Sequence, residues 1–273
     1  MTSVQSGFAR SGSDSGSGSG LGSGPAAGAA PALDGVLALV GGSGEPDGSL
    51  LARDVQTWVA SPEQGLRASI DALRGADASA AALTDLSPSD LTLVGAAVSD
   101  RACWAEVVRG VDGETETCLV GLSYDAAGAV SRLVWLRAPF VPASSEVGEE
   151  SAGPDGRSVL ERYLSDLQSS AFREAASHFT VDTIYSHPPY GGGTERALFQ
   201  GREALWRGFA TERGPSPVRQ IVTGFWQRDA RVFVEGVIEG IPDGGTFFST
   251  GQITPDGEIA RYVAFYSATR IPS

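Results

Sequence analysis

Alternation of apolar and polar positions is clearest near the C-terminal end of the chain. Three runs rich in β-branched and aromatic residues follow one another there, at 231–239, 246–254 and 258–266. They are separated by ProAspGlyGly (242–245) and ProAspGly (255–257), turn sequences in which proline presets φ and glycine tolerates positive φ. The pattern predicts a long antiparallel meander. One of its surfaces must be covered, because Phe233, Phe247, Phe248, Ile253, Val263 and Phe265 are too much apolar surface to leave in water.

Upstream, the same two-residue period predicts strands over 217–228, 183–187, 129–138, 115–124, 102–110, 90–98 and 54–60. Helical spacing predicts a helix over 158–168 with Val159, Leu160, Tyr163, Leu164 and Leu167 on one face. Further helices are expected over 171–179 and 201–209. Another is expected over 61–75, where Ser61 reads as N-cap, Pro62 as first turn, Leu66, Ile70 and Leu73 as the apolar face and Gly75 as the stop. Short helices at 36–40 and from 47–51 complete the list.

The meander occurs twice. A slide of 129 residues puts Gly95 on Gly224, Asp100 on Asp229, Trp104 on Phe233, Glu106 on Glu235, Gly128 on Gly257 and Arg132 on Arg261. A one-residue slip then puts Gly110 on Gly240 and Gly121 on Gly251. An ordered series of this kind indicates a duplicated domain. The expected organisation is a disordered Gly/Ser-rich tail (1–30), a degenerate first repeat (31–143), a linker (144–156) and a second repeat (157–273). Each repeat reads as α+β, with helices on one face of a curved, mostly antiparallel sheet.

Composition narrows the function. With 20 basic against 33 acidic residues the net charge is −13, which argues against nucleic acid or an anionic membrane as partner. No apolar run reaches membrane-span length and no secretion-type leader is visible, so the cytoplasm is the expected location. Pairing about Asp112 and Gly113 places Cys103 opposite Leu122 rather than Cys118, and both cysteines read as buried thiols. With two histidines and no carboxylate at ligand spacing, neither a metal nor another cofactor is expected.

The element order resembles the nuclear transport factor 2-like superfamily. So do ValLeuGluArgTyrLeuSerAspLeu (159–167), the run from His178 to Pro189, GlyArgGluAlaLeu (201–205) and AspGlyGluIleAlaArgTyrValAlaPheTyr (256–266). SnoaL-like proteins are the nearest in look and ketosteroid isomerases more distant. The resemblance implies two tandem cone-shaped domains and a small-molecule pocket, used by an isomerase, cyclase or dehydratase on an apolar carbonyl compound. A non-enzymatic ligand-binding or assembly module is the alternative. It also implies roles for Tyr163, as donor to a developing oxyanion, and for His187, immediately before Pro188, as general base. The acid that would complete such a site falls near Phe248 or Ser249, and neither is an acid.

Tyr185, Trp206, Phe209, Trp226, Glu235, Ser249 and Tyr262 are the expected substrate-binding residues. Tyr163 also reads as a plain core aromatic, His187 as a strand-end backbone contact, and Glu235 with Arg261 as a pair whose face alternation alone leaves open. In the first repeat Val59 or Ala60 stands where His187 does, so the polar pocket is expected in the second repeat only. Apolar residues of both meanders (Trp104, Leu122, Trp135, Phe233, Phe265) predict that the sheets pack on one another. The result would be an intramolecular pseudo-dimer within a monomer or homodimer.

Overall fold

The computed structural model describes residues 48–60, 70–86, 91–111, 114–139, 141, 155–190, 195–242, 244–267 and 270–272. The expected tail, the helix at 36–40, residues 61–69 and all of the linker but its last two residues lie outside the described residues. Those two, Asp155 and Gly156, belong to the second repeat. Asp155 caps helix α2 (Gly156–Gln168) by accepting from the Arg157 backbone N–H, and Gly156 opens that helix.

The first repeat contains β1 (Leu51–Ala60), β2 (Ile70–Arg74), α1 (Ala76–Leu86), β3 (Leu91–Val98), β4 (Ala102–Val111), β5 (Glu114–Tyr124) and β6 (Val130–Pro139). The second contains α2, α3 (Phe172–Ser177), β7 (Phe179–His187), β8 (Ala197–Gln200), α4 (Arg202–Gly208, continued by a π-turn over Phe209–Arg213), β9 (Arg219–Arg228), β10 (Arg231–Glu239), β11 (Gly245–Ile253) and β12 (Ile259–Ser267). The sheet orders are β2-β1-β6-β5-β4-β3 and β8-β7-β12-β11-β10-β9. In both, the first strand runs parallel to the last and every other pairing is antiparallel.

The duplication extends to the irregularities. Val94 is bulged out of the β3–β4 ladder and Thr223 out of β9–β10; Ser131 is bulged out of β5–β6 and Ala260 out of β11–β12. Each pair is 129 residues apart. Gly128 and Gly257, at φ +84° and +80°, close the matching turns between the last two strands of each sheet. Because Trp104 pairs with Gly121 as Phe233 pairs with Thr250, the counterpart of Gly121 is Thr250, and the expected one-residue slip to Gly251 is not present. Bulges are retained because they set the bend of a sheet.

Two expectations fail locally. Ile70–Arg74, expected as the end of a helix, is a strand antiparallel to β1, with Ala72 opposite Trp58. Ile70 and Leu73, three residues apart, fit a helical face and fall on opposite sides of a strand, so the apolar spacing pointed to the wrong element. The helix follows instead, over the alanine-rich 76–86, turning on Gly75 at φ +93° and burying Ser79 and Leu83. In the second repeat Phe179 belongs to β7 rather than to the second helix, and β8 was not expected at all. The α2 face is as expected: Val159, Leu160, Tyr163, Leu164 and Leu167 are all buried.

The two sheets meet across a third apolar cluster, distinct from the core of either repeat. Trp104, Leu119, Val134 and Leu136 of the first repeat pack in it with Phe233, Phe248, Val263 and Phe265 of the second. These are four equivalent pairs, 129 residues apart. Leu122 and Trp135, expected here, lie in the first repeat's own core. Two buried ion pairs flank the cluster: Arg132 donates to Glu235 at 2.5 and 3.2 Å, and Arg261 donates to Glu106 at 2.5 Å. Glu106 and Glu235 are equivalent, as are Arg132 and Arg261, so the contact has the self-complementary form of a two-fold interface. Glu106 also accepts from Thr250 at 2.8 Å and Arg231 at 3.3 Å. Glu235 and Arg261 therefore face the first repeat and pair across it, not with one another. Cys103 stands opposite Leu122 and Cys118 opposite Val107, and both thiols are free and buried.

Candidate functional site

The other face of the second sheet holds the candidate site. Even-numbered positions of β10 and β12 turn toward α2, with Val232, Val234, Ile238, Tyr262 and Ala264 in one core with Tyr163, Tyr185 and Phe209. Tyr163 comes from the buried face of α2, and Tyr185 and His187 from alternate positions of β7, so all three project into the same layer.

The hydroxyls of Tyr163 and Tyr185 are 3.1 Å apart, and those of Tyr185 and Tyr190 are also 3.1 Å apart. Phe209 lies edge-on to Tyr185 at 5.3 Å, and Tyr262 stacks on it at 5.5 Å. The His187 ring stacks on Tyr190 at 4.3 Å and more distantly on Tyr185 at 6.1 Å. Tyr163 and His187 thus belong to one cluster, with Tyr185 between them.

The polarity of His187 follows from its partners. Its Nδ1 lies 2.6 Å from the Pro188 carbonyl oxygen, which can only accept, so Nδ1 carries the proton. Its Nε2 lies 2.9 Å from the Tyr266 hydroxyl. Burial lowers the His187 pKa to about 3, against the Pro188 carbonyl and with help from the fields of Arg196 and Arg213. The ring is therefore neutral, and Nε2 accepts from Tyr266. The Gln220 amide in turn donates to the Tyr266 oxygen.

Burial also raises every phenol of the cluster. Tyr163, Tyr190 and Tyr266 are held well above the ordinary tyrosine range, so these hydroxyls are protonated at neutral pH. Tyr185 is raised by burial as well, but its two hydroxyl neighbours and the arginines pull it back. Three hydroxyls joined by two hydrogen bonds use two of their three protons. The third proton is not used within the chain of hydroxyls.

Not every expected residue joins this cluster. Ser249 is buried on the Tyr262 side and close enough to influence that phenol. Trp226 faces the first repeat and packs on Trp104 at 5.3 Å, and Glu235 lies on that face too. The Thr223 bulge explains the displacement of Trp226: Val222 and Phe225, three residues apart, both reach the helical side, which unbroken alternation forbids. Trp206 is half-buried on α4 and packs against the edge of this core, with the Arg173 guanidinium 4.8 Å from its ring centre. His178 caps α3 and ties it to α2 through Asp166 at 2.7 Å. Tyr190, Tyr266, Gln220, Arg196 and Arg213 were not anticipated. The four-residue step from Tyr262 to Tyr266, on the same face of a predicted strand, was the available signal for one of them.

Among the described residues, no three His, Cys, Asp or Glu side chains come together as a metal site, and no helix is long and apolar enough to cross a membrane. Fold and site together define a tandem α+β protein with a phenol-rich cluster under the helices of its second repeat. No protein-family model matches the sequence, and no curated protein matches it. Among solved structures, the chain is similar to a nuclear transport factor 2-like protein of unknown function from Cytophaga hutchinsonii ATCC 33406 (11% identity, TM-score 0.33, covering 43% of this chain and 95% of that one). It is similar to another from Burkholderia xenovorans LB400 (17%, 0.33, 43% and 86%). A third is SalBIII, an epoxide hydrolase/cyclase-like enzyme of pyran ring formation in the polyether salinomycin (15%, 0.34, 41% and 91%).

Proposed function

We propose that the second repeat is a pocket for an apolar, cyclic, carbonyl-bearing compound, and that it acts as a cofactor-independent isomerase, cyclase or dehydratase of SnoaL-like type. The observation that carries this reading is the Tyr163–Tyr185–Tyr190 hydroxyl chain, with one proton not used within it, set in an apolar layer beside a neutral imidazole. A donor aimed at an oxygen that gains charge lowers the barrier to enolisation, and it acts more strongly where water is excluded. His187 Nε2 is the base. It is covered by Tyr266 in the resting protein, so the substrate must displace that hydroxyl before a proton can move. The first repeat, with Val59 in the place of His187 by strand register, acts as a permanent partner that covers the second sheet within one chain.

A second reading is favoured by the low basicity of His187: a binding module that captures a carbonyl compound without turning it over. Deuterium exchange separates the two. With 2-tetralone in D2O, the enzyme reading expects accelerated exchange of the α-hydrogens, slowed roughly a hundredfold in His187→Ala. A thermal shift by 2-tetralone with no accelerated exchange selects the binding module. The absence of both ends the pocket reading.

A further inference from the structure

The electrostatics of this cluster are one-sided. Arg196 reaches β7 from the start of β8, donating from Nε to Ser186 Oγ at 3.0 Å and from Nη2 to the Ala264 carbonyl, with its guanidinium 5.6 Å from the Phe265 ring centre. Ser186 is the residue between Tyr185 and His187. Arg213 ends the π-turn that begins at Phe209, so it projects from nearly the same side as the ring that packs on Tyr163 and Tyr185. Its Nη1 donates to the Gly214 carbonyl. Both side chains are half-buried, and among the described residues neither has a carboxylate within ion-pair reach.

That combination runs against the rest of the molecule. The buried arginines between the sheets, Arg132 and Arg261, are each matched to a glutamate, as partly buried charges ordinarily are. Arg196 stays cationic although burial draws its pKa down to about 9. Its charge and that of Arg213 are felt at Tyr185 and His187, with no acid answering them. On a chain of net charge −13, an anion is repelled by most of the surface and attracted here.

We propose that the ligand of the second-repeat site is an anion: a ring compound carrying an ionised acid group, held with its negative oxygens toward Arg213 and a further oxygen on the Tyr163–Tyr185–Tyr190 chain. The inference rests on the pocket reading above and adds to it the charge of the ligand. Arg213 supplies the direct contact. Arg196, already occupied by Ser186 and Ala264, supplies field from behind the strand.

Fluorescence titration of the full chain with 2-naphthoate and 2-naphthol tests this, since the two share a ring system and differ in charge at pH 7. The expected result is naphthoate binding at least tenfold tighter, with its affinity falling as salt rises from 50 to 500 mM. Arg213→Gln should weaken naphthoate at least tenfold and leave naphthol unchanged. Arg213→Lys should restore most of the loss, which a merely misfolded Gln variant would not explain. Naphthol binding as tightly as naphthoate, or Arg213→Gln weakening both alike, overturns the anion inference while leaving a pocket in place. Failure of both compounds to bind overturns the pocket and the inference together.

Discussion

The two repeats share a strand order, two bulges, a turn glycine and the apolar and charged positions of the face where they meet, yet on the opposite face they have little in common. By strand register Tyr185, His187, Tyr262 and Tyr266 correspond to Thr57, Val59, Leu133 and Arg137. Thr57 spends its hydroxyl on Ser79 at 2.8 Å, and Arg137 is tied to Glu116, which Arg109 also holds. The first repeat is therefore not simply apolar under its helices, as the missing histidine suggested; it has exchanged phenols for a closed ion-pair cluster. The two faces answer to different constraints. A residue between the sheets is needed by both repeats, because each glutamate holds an arginine of the other repeat. A residue under the helices is needed by its own repeat alone.

The largest expected effect tests the symmetry of the interface. Glu106→Ala removes the carboxylate on which Arg261, Arg231 and Thr250 converge and should cost about 3–5 kcal/mol in urea denaturation, as removing one partner of a buried pair does. Glu235→Ala, which strands only Arg132, should fall at the lower end of that range. Losses under about 1 kcal/mol in both would mean that the crossing pairs do not hold the repeats together.

Next in size is a pH effect confined to the second repeat. The folded pKa of His187 is depressed to about 3, below its unfolded value, so between pH 6.5 and 3 the unfolded chain takes up a proton that the folded chain refuses. Stability is lost as pH falls through that window, by up to about 1.4 kcal/mol per pH unit from this group. The stability difference between the wild type and His187→Asn should change with pH by that slope. A parallel pair of profiles would place the ring in contact with solvent.

Tyr185→Phe removes both bonds of the hydroxyl chain and should cost about 1–2 kcal/mol of stability, with roughly tenfold weaker binding of a carbonyl ligand. Thr57→Val, at the matching position of the first repeat, should leave binding unaltered. If the two substitutions weaken binding equally, the division of labour between the repeats is wrong. The smallest effect is a null one: Cys103, raised by burial to about 12, and Cys118, raised further, should both resist a thiol reagent at pH 8 until urea opens the first repeat.

Much of this architecture was legible because long strands between tight turns leave a two-residue rhythm that few other structures produce. What the rhythm could not show was which side each half of a strand faces once a bulge intervenes. Thr223 shifts the parity of β9, and Trp226 with it, from the helical side to the first repeat. Glu235 has no bulge to blame. Alternation alone left its face open, and only the pairing with Arg132 settles it. In the site, Tyr163 and His187 were singled out by the family resemblance, whereas Tyr190 and Arg213 arrive from a loop and a π-turn, where no period applies. The alanine-rich α1 was missed because, among its described side chains, Leu83 is the one large group that is fully buried.

In each repeat the first long strand lies beside the last, and this sets an order of events on the ribosome. Neither sheet can close until its final strand has emerged, so both folding steps wait on distant partners. The first sheet is complete at Pro139, before α2 has begun to be made. From then until β12 appears, the face bearing Trp104, Leu119 and Leu136 has nothing to rest against. Synthesis of the second half is therefore also the shielding of the first, and a chain truncated between the repeats should be recovered in aggregates or bound to chaperones.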